Sequence, residues 1–282
     1  MKTKKIVIDK SVFRGTSTSK LQEFVRNHFL ILPDVLYYEC VTSDEEQDKL
    51  LDRFKDVVLA GGFICPSRNE IIQKEAKDLS PYRSLVNLAE ILAVKKTFQE
   101  NSRPFNPKKI KLAYENELKM AQSIKDLADG FIQEYASKQP GLIAEIRKSD
   151  NSRAGRPERL VKWAEFVDSQ DIHNASKKIL KNITRFPEKY CLSDDWVSWH
   201  FLRLILILSM ESTLFRGKGD TSGIISVEHN LQDITYILLL SRAEGLLTQD
   251  NGCSCLAKAA FPEKDIFSDI NQVPEEYICN YS

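Results

Sequence analysis

The chain has 282 residues, of which 42% are hydrophobic, and its 40 basic and 40 acidic side chains give a formal net charge of zero. This length and apolar content suffice for a globular core. The charge balance excludes a chain that is drawn as a whole to nucleic acid or anionic lipid, so any nucleic-acid site must be a local basic patch.

The cysteines and the apolar runs indicate the cellular compartment in which the protein is expected. Six cysteines are scattered without a C-x-x-C pair, which is typical of a reducing compartment and predicts no zinc site. The basic N-terminus runs straight into Ile6-Val7-Ile8, which is too short for a signal peptide. The most apolar run, residues 201–208, contains Arg203 and is too short to span a membrane. We therefore expect a cytoplasmic protein without a membrane segment.

The N-terminal segment alternates strand and helix patterns. Residues 5–9 are rich in β-branched side chains, which predicts a central parallel strand with an aspartate at its carboxyl end. A polar loop is expected over residues 10–19, and an amphipathic helix and a second strand at 29–32 should follow. Pro33-Asp34 marks a turn into the segment that carries Glu39.

The middle of the chain has helical patterns almost throughout. Capping boxes at residues 43–46 and 67–70 open two helices, and Asn106-Pro107 opens a long third one. Further helical periodicity covers about 158–167, 173–183 and 193–215.

A helix followed by a short strand is predicted near the C-terminus. Asn230 is a suitable N-cap for a helix that ends at Gly245, and residues 246–248 are apolar enough for a buried strand. Asp233 then lies in the first helical turn, and Asp250 lies at the carboxyl end of the strand. Because ligands in α/β folds gather at the carboxyl ends of strands, we expect both acids to face one crevice.

Strand patterns therefore occur at the two ends of the chain. A parallel sheet can pair strands that are far apart in sequence, so both ends are expected to build one α/β core. This divides the chain into a core of residues 1–43 and 221–282 and a helical insertion of residues 44–220.

Four acids lie at the ends of predicted elements: Asp9, Glu39, Asp233 and Asp250. Carboxylates that converge in one crevice repel one another, and a hard divalent cation relieves the repulsion. A pair of such ions can activate a water and stabilise both oxygens in a phosphodiester displacement. This chemistry requires acids and a metal but no serine or histidine nucleophile.

Three segments together resemble the PIN-domain nuclease family: Ile6-Val7-Ile8-Asp9 with Ser11 two residues on, Leu32-Pro33-Asp34-Val35-Leu36-Tyr37-Tyr38-Glu39, and Asp233 leading a helix into Thr248-Gln249-Asp250. The resemblance covers about the first 42 and the last 60 residues, and the middle is far longer than the short helical stretch of typical small members. It implies an α/β fold, with a PIN-like parallel sheet core and a large all-helical insertion.

The resemblance also implies a site and an activity. The acids that bind the metal and carry out catalysis would be Asp9, Glu39, Asp233 and Asp250. Two polar residues, Ser11 and Thr248, would support them. Active members use Mg²⁺ or Mn²⁺ to cleave RNA or sometimes DNA, and many bacterial members are toxins. We therefore expect a metal-dependent endonuclease that acts as a toxin or defence effector, with RNA ahead of single-stranded DNA as its expected substrate. The resemblance further suggests a homodimer, and the helical insertion is a candidate surface for a protein partner.

A nuclease also needs cations that hold phosphates beside its metal. The basic residues nearest to the acids in sequence are the candidates: Arg14, Arg216, Lys218 and Arg242. A second contact face could be formed by the basic run from 147 to 159 and by Lys108, Lys109 and Lys111. Solvated surface charge is the alternative for all of them.

Each acid also has an interpretation without catalysis. Asp9 could cap a turn, Asp233 could complement a helix N-terminus, and Asp250 could belong to an Asp-Asn-Gly turn. Glu39 could be a surface glutamate. The alternative function is then a catalytically inactive PIN-like protein whose helical insertion is a platform for protein or RNA. A helix-rich protein with an accidental resemblance is the third possibility.

Overall fold

A computed structural model describes residues 3–43, 46–86, 88–100, 106–138, 141, 144, 154–169, 172, 176, 193–215 and 227–279. Within them, five parallel strands form one sheet in the order β3-β2-β1-β4-β5. The strands are β1 (Lys5–Ile8), β2 (Phe29–Leu32), β3 (Phe63–Ile64), β4 (Gly245–Leu247) and β5 (Asp265–Phe267). The predicted α/β class is confirmed.

Helices cover most of the remaining described residues. They are α1 (Lys10–Gly15), α2 (Thr18–Asn27), α3 (Asp34–Val41), α4 (Gln47–Ala60), α5 (Arg68–Asp78), α6 (Leu88–Gln99), α7 (Pro107–Lys138), α8 (Arg156–Val167), α9 (Val197–Phe215), α10 (Val227–Leu238) and α11 (Asn251–Ala260). No helix among the described residues is long and apolar enough to span a membrane.

The central strand β1 joins the two ends of the chain. Ile6 lies opposite Leu30 of β2 and Gly245 of β4, and the side chains of β1 from Ile6 to Ile8 are fully buried. A parallel strand that is covered on both faces must be apolar at successive positions, and this is the sequence pattern of residues 6–8. The prediction that both ends contribute to one sheet is confirmed.

Two strands and one helix of the structure were not predicted from the sequence. The strand β3 lies inside the range 44–220 that was predicted to be wholly helical, and β5 follows α11. The predicted loop over residues 10–19 is wrong, because α1 begins directly after β1. Asp9 caps this helix by accepting a hydrogen bond from the backbone N–H of Ser11, and α1 buries Val12 and Phe13.

The predicted boundaries of α10 also need correction. The helix begins at Val227, before Asn230, and ends at Leu238, where a 3₁₀ turn takes over. Gly245 is the first residue of β4 and not a helix stop. A Cβ atom at this position would come within 3.1 Å of Phe267 and 3.2 Å of the Tyr277 hydroxyl, so the close packing of β5 and Tyr277 explains this glycine.

The two predicted capping boxes have different outcomes. Ser67 caps α5 by accepting from the backbone N–H of Glu70 at 3.1 Å, as predicted. The other helix, α4, begins only at Gln47, and Glu46 at its N-cap makes no side-chain capping bond. Residues 44 and 45 of that box lie outside the described residues, as do most residues of the predicted helix over 173–183.

The helical layer is anchored by buried charged groups. Arg159 of α8 is 1% exposed and binds Glu211 of α9 at 2.6 Å, and the indole N–H of Trp163 donates to the same carboxylate at 3.0 Å. Arg159 is therefore part of the packing between α8 and α9 and cannot belong to the predicted basic contact face.

Candidate active site at the carboxyl edge of the sheet

Two of the predicted acids follow neighbouring strands at the same edge of the sheet. Asp9 comes directly after β1, and Asp250 comes three residues after the end of the adjacent β4. The backbone N–H of Asp9 donates to the carbonyl of Leu247 at 3.0 Å, which extends the pairing of the two strands up to Asp9. Asp9 is 6% exposed.

Ser11 and Thr248, predicted as supporting residues, connect the two loops. The Thr248 hydroxyl donates to the Asp9 carboxylate and accepts from the backbone N–H of Asp250 at 3.1 Å. The Ser11 hydroxyl accepts from the backbone N–H of Gln249 at 2.7 Å. These bonds hold the loop after β1 against the loop after β4 and fix the position of Asp9.

Both strand-edge aspartates are also helix caps. Asp9 caps α1, and the Asp250 carboxylate accepts from the backbone N–H of Cys253 at 2.8 Å as the N-cap of α11. The N-termini of two helices therefore point towards the site. Each favours negative charge there, since backbone N–H groups and the helix dipole are both oriented towards it.

Glu39 lies on α3 and has two partners that come from other elements. The hydroxyl of Tyr236 on α10 donates to its carboxylate, and the Lys10 ammonium lies 3.9 Å from the second carboxylate oxygen. The Glu39 side chain is 13% exposed, so it is not a surface glutamate. α3, α10 and the start of α1 are thereby joined around one carboxylate.

Asp233 on α10 lies in the second turn of the helix and is 9% exposed. Burial raises the pKa of its carboxyl group to about 8, and the charges of Asp250, Asp9 and Glu39 add to the effect. Burial likewise raises the pKa of Asp9, to which the charge of Asp250 contributes. The four predicted acids thus act on one another electrostatically, as expected for carboxylates around one crevice.

The donor set is chemically suited to a hard divalent cation, because it consists of carboxylate and hydroxyl oxygens. Within the described part of the chain, no group of three or more histidine, cysteine, aspartate or glutamate side chains is arranged so that it could already hold a metal ion. The carboxylates of Asp9, Asp250 and Glu39 are instead bonded to capping N–H groups and to the hydroxyls of Thr248 and Tyr236. The residues fit a cation by their chemistry, and binding would require side chains to reorient.

The two predicted phosphate-binding residues that the structure describes, Arg14 and Arg242, are not brought together. Arg14 is paired with Glu46 at 2.7 Å. Arg242 lies before β4, at the opposite edge of the sheet from the acids, and its guanidinium donates to the carbonyls of Tyr82 at 2.6 Å and Ser241 at 2.8 Å. Arg216 and Lys218 lie outside the described residues.

Two other cations lie near the acids. Lys10 contacts Glu39 from the first turn of α1, and the charge of half-buried Arg156, at the start of α8, lowers the pKa of Asp233. Lys10 adjoins Asp9 in sequence, so its position could have been foreseen. Arg156 is remote in sequence, and only the packing of the helical layer brings it near. Tyr236 was missed for a different reason, because its spacing from Asp233 also fits a core tyrosine on an amphipathic helix.

Comparison of the chain with protein families, with curated proteins and with solved structures yields no match. The case for a function consequently depends on the chemistry of the acids at the sheet edge.

Proposed function

We propose that the protein is a metal-dependent endonuclease with a PIN-like core that hydrolyses phosphodiesters of RNA in preference to single-stranded DNA. One observation carries the proposal. Asp233 lies on α10, and its burial, together with the charges of three further acids from the loops after β1 and β4 and from α3, raises the pKa of its carboxyl group to about 8. Buried carboxylates that repel one another favour a bound cation, because a cation both neutralises and binds them.

The residues that would hold the cation are Asp9, Asp233, Asp250 and Glu39. A bound Mg²⁺ or Mn²⁺ polarises phosphate oxygens and lowers the pKa of a water molecule so that it can act as nucleophile. Ser11 and Thr248 position Asp9, and Tyr236 positions Glu39. Lys10 and Arg156 supply positive charge beside the acids for the phosphates that flank the scissile bond.

The test compares the wild-type protein with Asp9→Asn and Asp250→Asn on single-stranded RNA and DNA, with Mn²⁺, with Mg²⁺ and with chelator. Asparagine caps helices as well as aspartate does, so α1 and α11 should persist while the ligand charge is lost. We expect metal-dependent cleavage of RNA that falls by at least about a hundredfold in both variants, the scale of losing one strong electrostatic contribution to catalysis. Asp52→Asn, at an exposed position of α4, is the matched control and should retain full activity.

A catalytically inactive interaction platform is the second candidate. The observation in its favour is that Asp9 and Asp250 are satisfied as helix caps and Glu39 is bonded to Tyr236. On this alternative, Mn²⁺ would not raise the melting temperature, because only a ligand that binds the folded state stabilises it. A folded protein that neither cleaves RNA nor is stabilised by Mn²⁺ would refute the nuclease proposal and leave this one.

A further inference from the structure

A second cavity opens at the same edge of the sheet as the acids, at the carboxyl ends of β2 and β3. It has a volume of about 220 Å³. Cys65 to Ser67, in the loop after β3, line it together with residues of α3, which begins at Asp34 just after β2, and of α4, α5 and α7. From α7 the cavity receives Ile110, Ala113 and Tyr114, whose spacing places them on one face of the helix.

The cavity is lined by aromatic side chains. Tyr37 and Tyr38 of α3, Phe54 of α4 and Tyr114 of α7 all contribute to its wall, and the rings of Tyr38 and Tyr114 stack with centroids 3.7 Å apart. Flat aromatic walls suit a flat ligand, since ring systems attract one another in stacked and edge-to-face arrangements.

One polar group in this wall lacks a partner. The Tyr114 hydroxyl is buried and has no hydrogen-bond partner among the described residues, while the Tyr114 side chain as a whole is only 5% exposed. A buried hydroxyl without a partner is costly, and native proteins rarely keep one. Solvent does not reach the hydroxyl in the present arrangement, so a ligand that offers a donor or an acceptor satisfies it only when the aromatic wall opens.

The cavity adjoins the acids. Tyr38 and Glu39 are consecutive on α3, and β2, whose end opens into the cavity, is the strand next to β1. Burial raises the pKa of Tyr114, and the charges of Glu39 and Asp34 add to this effect. Neighbouring strands lie about 5 Å apart, so the carboxyl end of β2, at which the cavity opens, is one strand spacing from the carboxyl end of β1 and Asp9.

We propose that this cavity, the base pocket, receives one nucleobase of a single-stranded nucleic acid whose backbone passes the four acids. The inference rests on the proposed function, because it takes the substrate of that site to be nucleic acid. The volume lies below that of pockets for drug-sized ligands and suits one ring system. A base stacks on aromatic walls, and when the wall opens to receive it the base offers edge donors and acceptors to the Tyr114 hydroxyl, in the way that proteins read unpaired bases.

The experiment measures binding and does not depend on cleavage. Short single-stranded RNA is titrated into the full-length Asp250→Asn protein in the presence of chelator, beside an abasic oligonucleotide that keeps the phosphates. In this background Ala113→Trp fills the base pocket from its exposed rim, and Leu112→Trp places the same side chain on the next residue of α7, which does not line it. We expect Ala113→Trp to weaken RNA binding about tenfold, with no change for Leu112→Trp or for the abasic strand.

A second variant tests the hydroxyl. Tyr114→Phe removes only the unpartnered group, so it should leave the melting temperature unchanged or higher while it weakens RNA binding about fivefold. If Tyr114 has only a structural role, Tyr114→Phe will leave the melting temperature unchanged or higher and will not weaken RNA binding.

The outcomes separate the two proposals. Equal binding by the Ala113→Trp and Leu112→Trp variants, or no RNA binding by the parent protein, would overturn the base pocket even if the wild-type protein cleaves RNA. Base-dependent binding that Ala113→Trp abolishes in a protein that never cleaves would support the base pocket and refute the nuclease.

Discussion

At the scale of single residues, Asp233 links the electrostatics of the site to the stability of the fold. Its pKa of about 8 in the folded protein lies above the value of about 4 expected for an unfolded chain. The folded protein therefore keeps a proton that the unfolded chain releases over this interval. The stabilisation from that proton is fully present below about pH 4 and is lost as the pH rises to about 8.

We predict that Asp233→Asn removes this pH dependence. Asparagine resembles the protonated carboxyl group, so the variant should gain stability over the wild type by about 1.4 kcal/mol for each pH unit between about 4 and 8. Urea unfolding of both proteins from about pH 5 to about pH 8 measures the difference. Asp52→Asn, on the exposed side of α4, should give a difference that does not change with pH. A pH-independent difference for Asp233→Asn would mean that its carboxyl group titrates normally.

At the scale of elements, the start of α9 depends on a glutamate from α5. Glu75 is fully buried, and its carboxylate accepts from the backbone N–H groups of Val197 at 2.9 Å and Ser198 at 2.8 Å. It also accepts from the Ser198 hydroxyl at 2.7 Å and from the backbone N–H of Tyr82 at 2.9 Å. The negative charge thus satisfies the first N–H groups of a long buried helix and complements its dipole.

We predict that Glu75→Gln lowers the free energy of unfolding by about 3 kcal/mol. The amide loses the charge, and whichever carboxylate oxygen its NH₂ group replaces, at least one of the backbone N–H groups of Val197, Ser198 and Tyr82 loses its acceptor and is left buried and unpaired. Chemical denaturation measures the loss. Glu165→Gln, at an exposed position of α8, should change the stability by less than about 0.5 kcal/mol. A Glu75→Gln protein as stable as the wild type would show that α9 does not need this cap.

The elements that could be predicted from sequence are those whose signal is local. The strands β1 and β2 and the core of β4 are continuous apolar runs, and the Ser67 cap stands beside the helix that it begins. By contrast, β3 has two residues and β5 has three, too few for a periodic pattern. These segments are strands because they pair with β2 and β4, and no local sequence pattern predicts such tertiary contacts.

The same distinction applies to the candidate site. Asp9 and Asp250 could be located because each follows an apolar strand. Asp233, expected in the first turn of its helix, lies in the second turn, and Glu39, expected at the end of an element, lies within α3. Nearness in sequence to the acids does not predict which cations lie beside them. Arg242 lies at the opposite edge of the sheet, whereas Arg156, which is remote in sequence, lowers the pKa of Asp233. The bond between Tyr236 and Glu39 joins two helices that are far apart in the chain, and no local pattern indicates it.

At the scale of the whole molecule, the sheet makes the two ends of the chain depend on each other. Val7 of β1 lies opposite both Ile31 of β2 and Leu246 of β4, so the central strand is complete only when the C-terminal segment has returned to it. Closing so long a stretch of chain before the contacts form is entropically costly, and we expect slow folding. Once formed, β1, β2 and β4 should open as one cooperative unit, because none of them is fully paired without the others.

We predict that Leu246→Ala weakens β1 as much as β4. Leu246 is fully buried, so its truncation should cost about 3 kcal/mol, and native-state hydrogen exchange should then accelerate equally at residues 6–8 and 245–247. Leu112→Ala, at a position that is 59% exposed, should leave exchange in both strands unchanged. Faster exchange in β4 alone would show that the C-terminal strands open independently, and Asp250 could then leave Asp9 without the rest of the sheet unfolding.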